Sequence, residues 1–390
     1  MATDRLYYDQ TYLREFDART EEVRQDGDNW LVSLDRSAFY PTSGGQPFDT
    51  GRLITQTAET AVTEVSVDRN GIVWHRLPVP LKPGETVHGV IDWPRRFDHM
   101  QQHGGEHMLA GAVWELLRGV TQGLHLGVED SSIDVELPDG VSHVSAEMIR
   151  TLEELVNSWI QHDDPVRCWF PKPEELAALP LRKPPTVTEH IRIVAMGDYE
   201  MIACGGTHPA RTGEIGLMHI LSVTPVRGKA RFTFVCGARA VRHYRLCADI
   251  TDALSARLSV PPEGLTCAVD RQKDQIAELK ARLKSLEEES WRRELSEQLR
   301  QEQGIAVLYR ENGDPDAMTD AVTRLIREPG RVILAGVGKR LIMGRSADRT
   351  IDLVRVIRQT ARGGGRPELV TGAGGPAELE KAAALIRGDL

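Results

Sequence analysis

The sequence predicts an α+β chain of four consecutive parts: an N-terminal β-barrel (1–95), an α/β domain with candidate metal ligands (96–240), a helical coiled-coil segment (241–303) and a small α/β C-terminal domain (304–390). Three observations carry this prediction. Strand-like runs separated by turn residues fill the first part, helix and strand patterns alternate in the second, and apolar residues recur every three or four positions in the third. At 390 residues the chain is long enough for two or three cores.

Composition is typical of a globular protein, with 41% apolar and 27% charged residues. No apolar run reaches the roughly 18–20 residues of a membrane span, and the N-terminus lacks a signal-peptide pattern, so we expect a cytoplasmic protein without membrane contact. The cysteines number five and are scattered, which argues against a disulfide framework. A formal net charge of −9 argues against a broad electrostatic surface for nucleic acid, but it permits a local basic patch.

In the first part, Asn70-Gly71 is a strong signal for a tight hairpin turn, and Pro94 is expected to end the last strand. The runs with strand composition are residues 30–34, 62–67, 72–75 and 87–93. Together they favour a small barrel.

The motif FYPTSGGQPFD occupies residues 39–49 of this part. Its adjacent glycines, Gly44 and Gly45, allow a ligand to approach the backbone closely. Side chains beside them supply hydrogen-bonding groups: Thr42, Ser43 and Gln46. A ligand-binding wall is one interpretation of this motif, and an ordinary loop is the other.

The second part opens with a predicted helix over residues 98–119, with Asp98 as N-cap and Gly119 as its stop. His103 and His107 lie four residues apart, so they share one helix face with about 5–6 Å between Cβ atoms. That spacing suits two imidazoles on one metal ion. One histidine in the core and one in solvent is the alternative.

Gly104 and Gly105 lie between these histidines, although each costs a helix about 1 kcal/mol relative to alanine. Their presence indicates that something approaches the backbone closely. Glu106 completes the HGGEH sequence and is placed to act as a base or hydrogen-bond partner. A solvated carboxylate on the helix surface is the alternative for Glu106.

Cys204 and His208 repeat the four-residue spacing around Gly205-Gly206, where we expect a turn. A thiolate and three imidazoles form a donor set that suits zinc better than magnesium or calcium. Structural zinc sites commonly have four protein ligands, whereas catalytic sites keep a position for water or substrate. Both kinds of site therefore remain open, and the neighbouring glycines favour a site that faces a substrate.

The third part is predicted to be helical, with a coiled-coil seam that slips register near Ser290. The seam residues before and after the slip are Val269, Ile276, Leu279, Leu283 and Leu286, then Trp291, Leu295 and Leu299. A homodimer or a spacer arm is one interpretation of the seam. An intramolecular helical hairpin is the other.

The C-terminal part has strand patterns at 305–309, 332–337 and 341–343, and helix patterns at 314–327, 348–360 and 376–387. Between the last two helices lies a predicted glycine-rich loop flanked by arginines, Arg362, Gly363, Gly364, Gly365 and Arg366. Backbone N–H groups of such a loop can hold phosphates. The loop matches neither a P-loop nor a dinucleotide fingerprint.

Three motifs together resemble the editing domain of alanyl-tRNA synthetase and its free-standing AlaX-type relatives: HGGEH at 103–107, CGGTH at 204–208 and FYPTSGGQPFD at 39–49. The order of barrel, zinc editing domain, helical segment and glycine-rich domain is similar to the long AlaX form over nearly the whole chain. Its last part is similar to the C-terminal domain of alanyl-tRNA synthetase. No aminoacylation core or ATP-binding motif is recognisable, so we do not expect this chain to charge tRNA.

The resemblance implies a trans-editing hydrolase that cleaves the ester between alanine tRNA and a wrong amino acid, chiefly serine, with glycine second. It implies zinc ligands at His103, His107, Cys204 and His208. Residues implied to border the aminoacyl pocket are Thr42, Ser43, Gly44, Gly45, Gln46, His125, Gly205, Gly206 and Thr207. Gln122 matches a polar position of the family's pocket and is one catalytic candidate, and Glu106, from its place between the two histidines, is the other. Candidate tRNA contacts are the basic residues Arg227, Lys229 and Arg231 and the segment from Arg362 to Arg366.

Glu106 departs from the Thr, Ala or Gln common between the family's two histidines, which leaves amino-acid selectivity open. An added carboxylate would favour the substrate ammonium group, unless it points away. Two rival functions also remain: a tRNA-binding or tRNA-recruiting protein with a structural zinc, and an editing-like enzyme for another aminoacyl ester.

Overall fold

The computed structural model describes residues 2–138, 143–185 and 187–388. The chain divides into two compact units, Met1–Ile250 and Thr251–Leu390. The strands of the first unit before its long helix are β1 (Asp4–Arg5), β2 (Glu15–Asp26), β3 (Asn29–Leu34), β4 (Arg36–Ser37), β5 (Gly51–Ile54), β6 (Glu59–Val62), β7 (Glu64–Val67), β8 (Val73–Leu77) and β9 (Thr86–Ile91).

Seven of these strands form one antiparallel sheet in the order β6-β5-β9-β2-β3-β8-β7. β2 is 12 residues long; its first half pairs with β9 and its second half with β3. Asn70-Gly71 lies in the turn between β7 and β8, as predicted. The closed barrel is not found, because within the described residues no ladder joins the edge strands β6 and β7. Thr63 separates them, and its backbone N–H donates to the Arg76 carbonyl at 3.0 Å, so the predicted single strand 62–67 changes partner there.

The rest of the first unit alternates helices and strands. In chain order these are α1 (Trp93–Leu117), β10 (Val120–Leu126), β11 (Ser131–Glu136), α2 (Ala146–Gln161), β12 (Val166–Trp169), α3 (Pro173–Ala178), β13 (Ile193–Met196), β14 (Glu200–Ala203), β15 (Met218–Val226), β16 (Lys229–Cys236) and α4 (Ala238–Leu258), which contains the boundary between the units. Two antiparallel sheets result, in the orders β10-β11-β16-β15 and β12-β13-β14. Buried side chains of α1 and α2 share one apolar core with the four-stranded sheet.

Helix α1 begins earlier than its sequence predicted. Asp92 is the N-cap and accepts a hydrogen bond from the backbone N–H of Arg95, and Pro94 lies in the first turn. Proline is tolerated there because its missing N–H would have no partner within the helix. Asp98, the predicted cap, lies in the second turn and forms an ion pair with Arg239 instead.

The second unit contains the 37-residue helix α5 (Leu265–Gln301) and a five-stranded sheet. Its other elements are β17 (Ile305–Arg310), α6 (Pro315–Leu325), β18 (Val332–Val337), β19 (Arg340–Arg345), α7 (Leu353–Thr360), β20 (Arg362–Arg366), β21 (Leu369–Ala373) and α8 (Pro376–Gly388). The sheet order is β17-β18-β19-β21-β20, and only the first pair is parallel among the described strands. Apolar cores lie on both faces of this sheet.

The predicted coiled-coil seam has two different environments. Trp291, Leu295 and Leu299, after the register slip, are buried in the core of the second unit. The residues before the slip are 40–64% exposed: Val269, Ile276, Leu279, Leu283 and Leu286.

The glycine-rich segment at 362–366 is a strand rather than the predicted loop. Each of its residues pairs with one of β21. A Cβ atom on Gly363 or Gly365 would overlap with backbone carbonyl oxygens of β21, so these glycines permit close strand pairing. Among the helices of the described residues, none is long and apolar enough to cross a membrane.

Candidate metal centre and adjoining cavity

Four side chains from two distant stretches converge in the first unit. His103 and His107 come from α1, and Cys204 and His208 from the loop after β14. The Nε2 atoms of His103 and His208 lie 3.4 and 3.3 Å from Cys204 Sγ. One ligand atom from each residue lies within 4.8 Å of all the others, and the three imidazoles are buried. The group can hold a metal ion.

Gln46 fixes the orientation of His103. Its side-chain oxygen accepts hydrogen bonds from His103 Nδ1 at 2.8 Å and from the Thr207 backbone N–H at 3.0 Å, while its amide donates to the Thr207 hydroxyl at 2.8 Å. Because Nδ1 carries the proton in this arrangement, the lone pair on Nε2 faces the other donors. The structure therefore places two predicted pocket residues, Gln46 and Thr207, behind a metal ligand, and both are 0% exposed.

Burial keeps the three imidazoles neutral. It lowers the pKa of His103 to about 3 and the pKa values of His107 and His208 well below their usual range, with neighbouring imidazoles and Arg192 adding to the effect. Burial raises the pKa of the Cys204 thiol to about 12. Neutral imidazole is the metal-binding form, and coordination to a cation deprotonates a thiol.

The donor set fits a soft-to-borderline transition metal. Magnesium and calcium prefer oxygen ligands, whereas the ligand atoms here are one sulfur and three imidazole nitrogens. His208 Nδ1 is buried and has no hydrogen-bond partner among the described residues. The second ring nitrogen of that ligand therefore lacks the support that Gln46 gives to His103.

Arg192 shapes the Cys204–His208 loop. It is 4% exposed, and its Nη1 donates to the carbonyls of Cys204 at 3.2 Å and Gly206 at 2.9 Å. A Cβ atom on Gly206 would overlap with the His103 ring. Glycine at this position therefore lets the loop lie directly against a metal ligand, which agrees with the close approach predicted around the glycines.

The glycine motif is fastened to α1 by a buried ion pair. The Asp49 carboxylate accepts hydrogen bonds from the Tyr40 backbone N–H at 2.6 Å and from Arg96 Nε at 2.9 and 3.0 Å. Both side chains of the Arg96–Asp49 pair are 0% exposed, and Arg96 also donates to the carbonyls of Ala38 and Thr11. The turn that supplies Gln46 is thus held by the helix that supplies His103.

Gly104 and Gly105 owe their presence to packing. A Cβ atom on Gly104 would lie 3.0 Å from Ile215, and one on Gly105 would overlap with Cys236 Sγ. Both glycines are buried. The close approach to the helix backbone is made by the protein's own core.

A cavity of about 960 Å³ opens beside the four donors. His103 and Cys204 line it at the metal centre, together with Gly205 and Gly206. Ser43 and Gly44 add the tip of the glycine motif, and Thr42 and Gly45 beside them are exposed. Gly45 has a φ of +86°, and its Cβ would lie 2.8 Å from the Leu124 carbonyl, so only glycine fits there without strain.

Glu106 lies beside the donors but outside this cavity's lining among the described residues. Its side chain is nearly buried, and Oε2 lies 3.8 Å from His107 Nε2. Burial, and then the nearby Glu200 carboxylate, raise the pKa of Glu106 to about 8. Glu200 forms a buried ion pair with Arg182.

Gln122 and His125 are exposed on β10, and neither lines the cavity in the described part of the chain. The Gln122 amide donates to Glu136 on β11 at 2.9 Å. The Leu126 backbone N–H donates to the Gly45 carbonyl at 3.2 Å, so this strand adjoins the glycine motif.

The candidate tRNA contacts are spread over several places. Arg362 lines a cavity of about 630 Å³ in the second unit with Lys339 and Arg340. Arg366 is exposed at the other end of β20. In the first unit, Arg231 is paired with Asp134, and the exposed Arg227 and half-buried Lys229 flank the turn between β15 and β16.

Comparison with known proteins relates two stretches of the first unit to tRNA-synthetase domains; they contain the glycine motif and the Cys204–His208 loop, but not His103 and His107. Residues 2–95 match the family described as tRNA synthetases class II (A), and residues 191–231 match the threonyl and alanyl tRNA synthetase second additional domain. The alanine–tRNA ligase of Pyrococcus furiosus is 36% identical over 296 residues, covering 74% of this chain and 32% of the ligase. The chain thus spans about a third of that ligase.

The alanyl-tRNA editing protein AlaX-L of Pyrococcus horikoshii is 30% identical over 390 residues, covering 95% of this chain and 94% of that protein. The chain therefore belongs to the AlaX-L family of alanyl-tRNA editing proteins. A RecJ structure from Thermus thermophilus has 21% identity, covers 32% of this chain and 20% of that chain, and has a TM-score of 0.25, which is too low to bear on fold.

Several residues that hold the site together escaped sequence reasoning. Arg96 and Arg192 lie seven and 12 residues before His103 and Cys204 but outside every motif, and Asp49 ends the glycine motif, where the sequence assigned it no role. Their roles arise from side chains that reach across the fold. Burial of an arginine has no local sequence signal, because arginine is usually exposed.

Proposed function

We propose that this chain is a zinc-dependent hydrolase that removes wrongly attached amino acids from alanine tRNA in trans, with serine as the main substrate and glycine as the second. The observation that carries the proposal is the cluster of His103, His107, Cys204 and His208 at one end of a cavity that the glycine motif also lines. Membership in the AlaX-L family supports the substrate class.

Zinc held by these four residues would supply positive charge to polarise or position the ester carbonyl. The chain's own groups prepare the site for the substrate. Gln46 holds His103 in one tautomer, and Arg192 holds the Cys204 loop. The Ser43 hydroxyl and the Gly44 backbone at the cavity wall can hydrogen-bond the aminoacyl group.

A wall that contains hydroxyl groups can favour a seryl over an alanyl ester. A site built to hydrogen-bond a substrate hydroxyl is left with unpaired groups when that hydroxyl is missing. Thr42 and Ser43 are the exposed candidates for this recognition. Gln122 and His125 are proposed to contact the substrate where β10 adjoins the motif.

Glu106 is proposed as the acid–base group, or as the partner of the substrate ammonium. Its position 3.8 Å from His107 Nε2 supports a role near the reacting ester. Glu106→Gln should separate these roles: loss of a base lowers kcat for every aminoacyl ester, whereas loss of an ammonium partner raises KM.

The direct test is a deacylation panel with purified protein and alanine tRNA that carries Ser, Gly or Ala. We expect seryl ester hydrolysis to be lost in a His103→Ala/Cys204→Ala variant and after chelation, with zinc content measured in parallel. Cys267→Ala, which changes an exposed cysteine of α5, is the matched control. Unchanged hydrolysis in the double variant would refute the site.

A second candidate function is a tRNA-binding protein with a structural zinc. The observation that favours it is the presence of four protein donors, since structural zinc sites are commonly closed by four ligands. This function predicts tRNA binding and unfolding on chelation, without hydrolysis of any ester in the panel. Hydrolysis of an ester on a different tRNA would instead indicate an editing-like enzyme of other specificity.

A further inference from the structure

The cavity beside the metal centre is larger than an aminoacyl group requires. At about 960 Å³ it reaches the upper end of the roughly 300–1,000 Å³ that hold drug-sized ligands. Away from His103 and Cys204 it is lined by Arg5, Tyr8 and Phe170. The hairpin turn around Arg69 also borders this outer end. The outer end therefore has room for a part of the substrate other than the amino acid.

Two aromatic rings form one wall of the outer end. The Tyr8 and Phe170 rings meet edge to face, with centroids 5.7 Å apart. Phe170 is 43% exposed, although it is a large apolar side chain. A partly exposed aromatic ring in a cavity provides a face on which a nucleobase can stack, and such stacking tolerates any base.

Tyr8 links this wall to the metal centre. Its hydroxyl would lie 3.7 Å from a Cβ atom on Gly205, the neighbour of Cys204. The same hydroxyl accepts a hydrogen bond from Arg5 at 3.2 Å. Arg5 is thus bonded to the aromatic wall, and Tyr8 of that wall lies close to the loop that carries Cys204.

Two cations of the outer end are available for an anion. Arg5 is half-buried and Arg69 is exposed, and neither forms an ion pair with a described residue. Arg192 also lines the cavity, but its guanidinium is occupied by backbone carbonyls. The cavity lining also contains two acidic residues, Asp4 and Glu189, whose negative charges equal the positive charges of Arg5 and Arg69. With Arg192 included, the lining carries one excess positive charge. This local charge contrasts with the chain's net charge of −9.

We propose that the outer end binds the 3′-terminal nucleotides of the tRNA acceptor strand. The terminal base stacks on Phe170 beside Tyr8, and backbone phosphate lies against Arg5 and Arg69. The ester at the 3′ end then reaches the metal centre past Gly205. This inference rests on the proposed function, because it assigns the nucleotide part of the same substrate.

The first test measures binding of the unacylated trinucleotide CCA to the full-length protein by calorimetry. Phe170→Ala should weaken binding by about tenfold, as expected for one stacked base, while Phe170→Tyr keeps the ring and should bind like wild type. Arg5→Gln and Arg69→Gln should each weaken CCA binding. Each should also make the slope of log binding constant against log salt concentration less negative by about 0.7, because one phosphate contact is lost. Arg52→Gln, an exposed arginine outside the cavity, is the control.

The second test uses seryl alanine tRNA. The same variants should raise KM with little change in kcat, since their residues contact the nucleotide and not the reacting ester. Thermal melts confirm that each variant folds. The inference would be overturned if Phe170→Ala and Arg5→Gln kept both the CCA affinity and the KM of the unmodified protein. It would also be overturned if the unmodified protein neither bound CCA nor hydrolysed the ester.

The two tests also separate this inference from the proposed function. Binding of CCA that depends on Phe170, without ester hydrolysis, would uphold the nucleotide subsite and refute the hydrolase. Hydrolysis with a KM that is insensitive to Phe170, Arg5 and Arg69 would uphold the hydrolase and refute the subsite.

Discussion

At the scale of single residues, Gln46 is buried between two parts of the metal centre and has no exposure to solvent. Its amide satisfies His103 Nδ1 and both polar groups of Thr207. Partners of this kind orient a ligand and raise its basicity, so they influence metal affinity without touching the metal.

Gln46→Ala should lower zinc affinity by roughly 10–100-fold, because His103 Nδ1 and the Thr207 N–H lose their acceptor in a buried site. Gln46→Glu keeps an acceptor at the same place and should retain more of the affinity. Competition against a chromophoric chelator measures both. Thr42→Ala, in the exposed part of the same motif, is the control, and equal zinc affinity in Gln46→Ala and Thr42→Ala would contradict the assignment.

His75 is a buried histidine far from the metal ligands in sequence. Its Nδ1 donates to the Val32 carbonyl at 3.0 Å, and its Nε2 accepts from the Ser37 hydroxyl at 2.8 Å. Burial lowers the pKa of His75 to about 4. In the unfolded chain the pKa of His75 is about 6.5. Between pH 4 and 6.5 the unfolded chain therefore binds a proton at His75 more readily than the folded chain does.

The free energy of unfolding should consequently fall as pH drops from about 6.5 to 4, with His75 contributing about 3 kcal/mol of the decrease. A Ser37→Ala/His75→Phe variant should show a flatter decrease, measured by urea denaturation at several pH values. His88→Phe should not flatten it, because the Asp17 carboxylate raises the pKa of this exposed histidine. An identical pH dependence in wild type and the double variant would rule out this role of His75.

At the scale of elements, the Arg96–Asp49 ion pair joins the glycine motif to α1. Asp49→Ala should destabilise the first unit by about 3–5 kcal/mol, because a fully buried guanidinium loses its partner. An Asp49→Leu/Arg96→Met variant removes both charges and should recover much of that loss. Urea denaturation measures the change, and Asp17→Ala, at an exposed carboxylate, is the control. A loss below about 1 kcal/mol for Asp49→Ala would argue that the pair is not essential.

Elements with a strong local signal were predicted well. Serine is a preferred N-cap residue, and the Ser145 side chain caps α2 by accepting a hydrogen bond from the Met148 N–H. Asn70-Gly71 makes the expected hairpin turn. In both cases the determining contacts lie within a few residues, so composition and spacing are sufficient.

Some elements were not predicted. The segment from Arg362 to Arg366 has the composition of a loop, yet it forms a hairpin with the next strand, β21, because its glycines permit close pairing. In the N-terminal sheet, Thr63 bonds to Arg76, 13 residues away in sequence, where the predicted strand 62–67 divides into β6 and β7. For the site, the spacing of the histidines indicated the donors, whereas the supports at Arg96, Asp49 and Arg192 depend on tertiary contacts.

At the scale of the whole molecule, the two compact units have separate apolar cores. Without an ion, the first unit has four neighbouring polar donors in mostly buried surroundings. Metal binding should therefore stabilise that unit and leave the core of the second unit unchanged.

Chelation should accelerate amide hydrogen exchange in α1 and in residues 200–208, because both carry the donors. Exchange in β17 and β18 should stay as it was. Mass spectrometry of the intact chain, digested after exchange, gives the comparison. A Cys204→Ala protein should show no further change on chelation, and equal effects in both units would contradict this prediction.

Helix α1 carries Arg96, His103 and His107 at spacings of seven and four residues. With 3.6 residues per turn, the three side chains fall within roughly 40° of one another around the helix axis. One inserted or deleted residue between them would turn the later side chains by about 100° relative to the earlier ones. Insertions and deletions in homologous chains should thus be absent between positions 96 and 107, while the exposed turn residues 56–58 can vary in length.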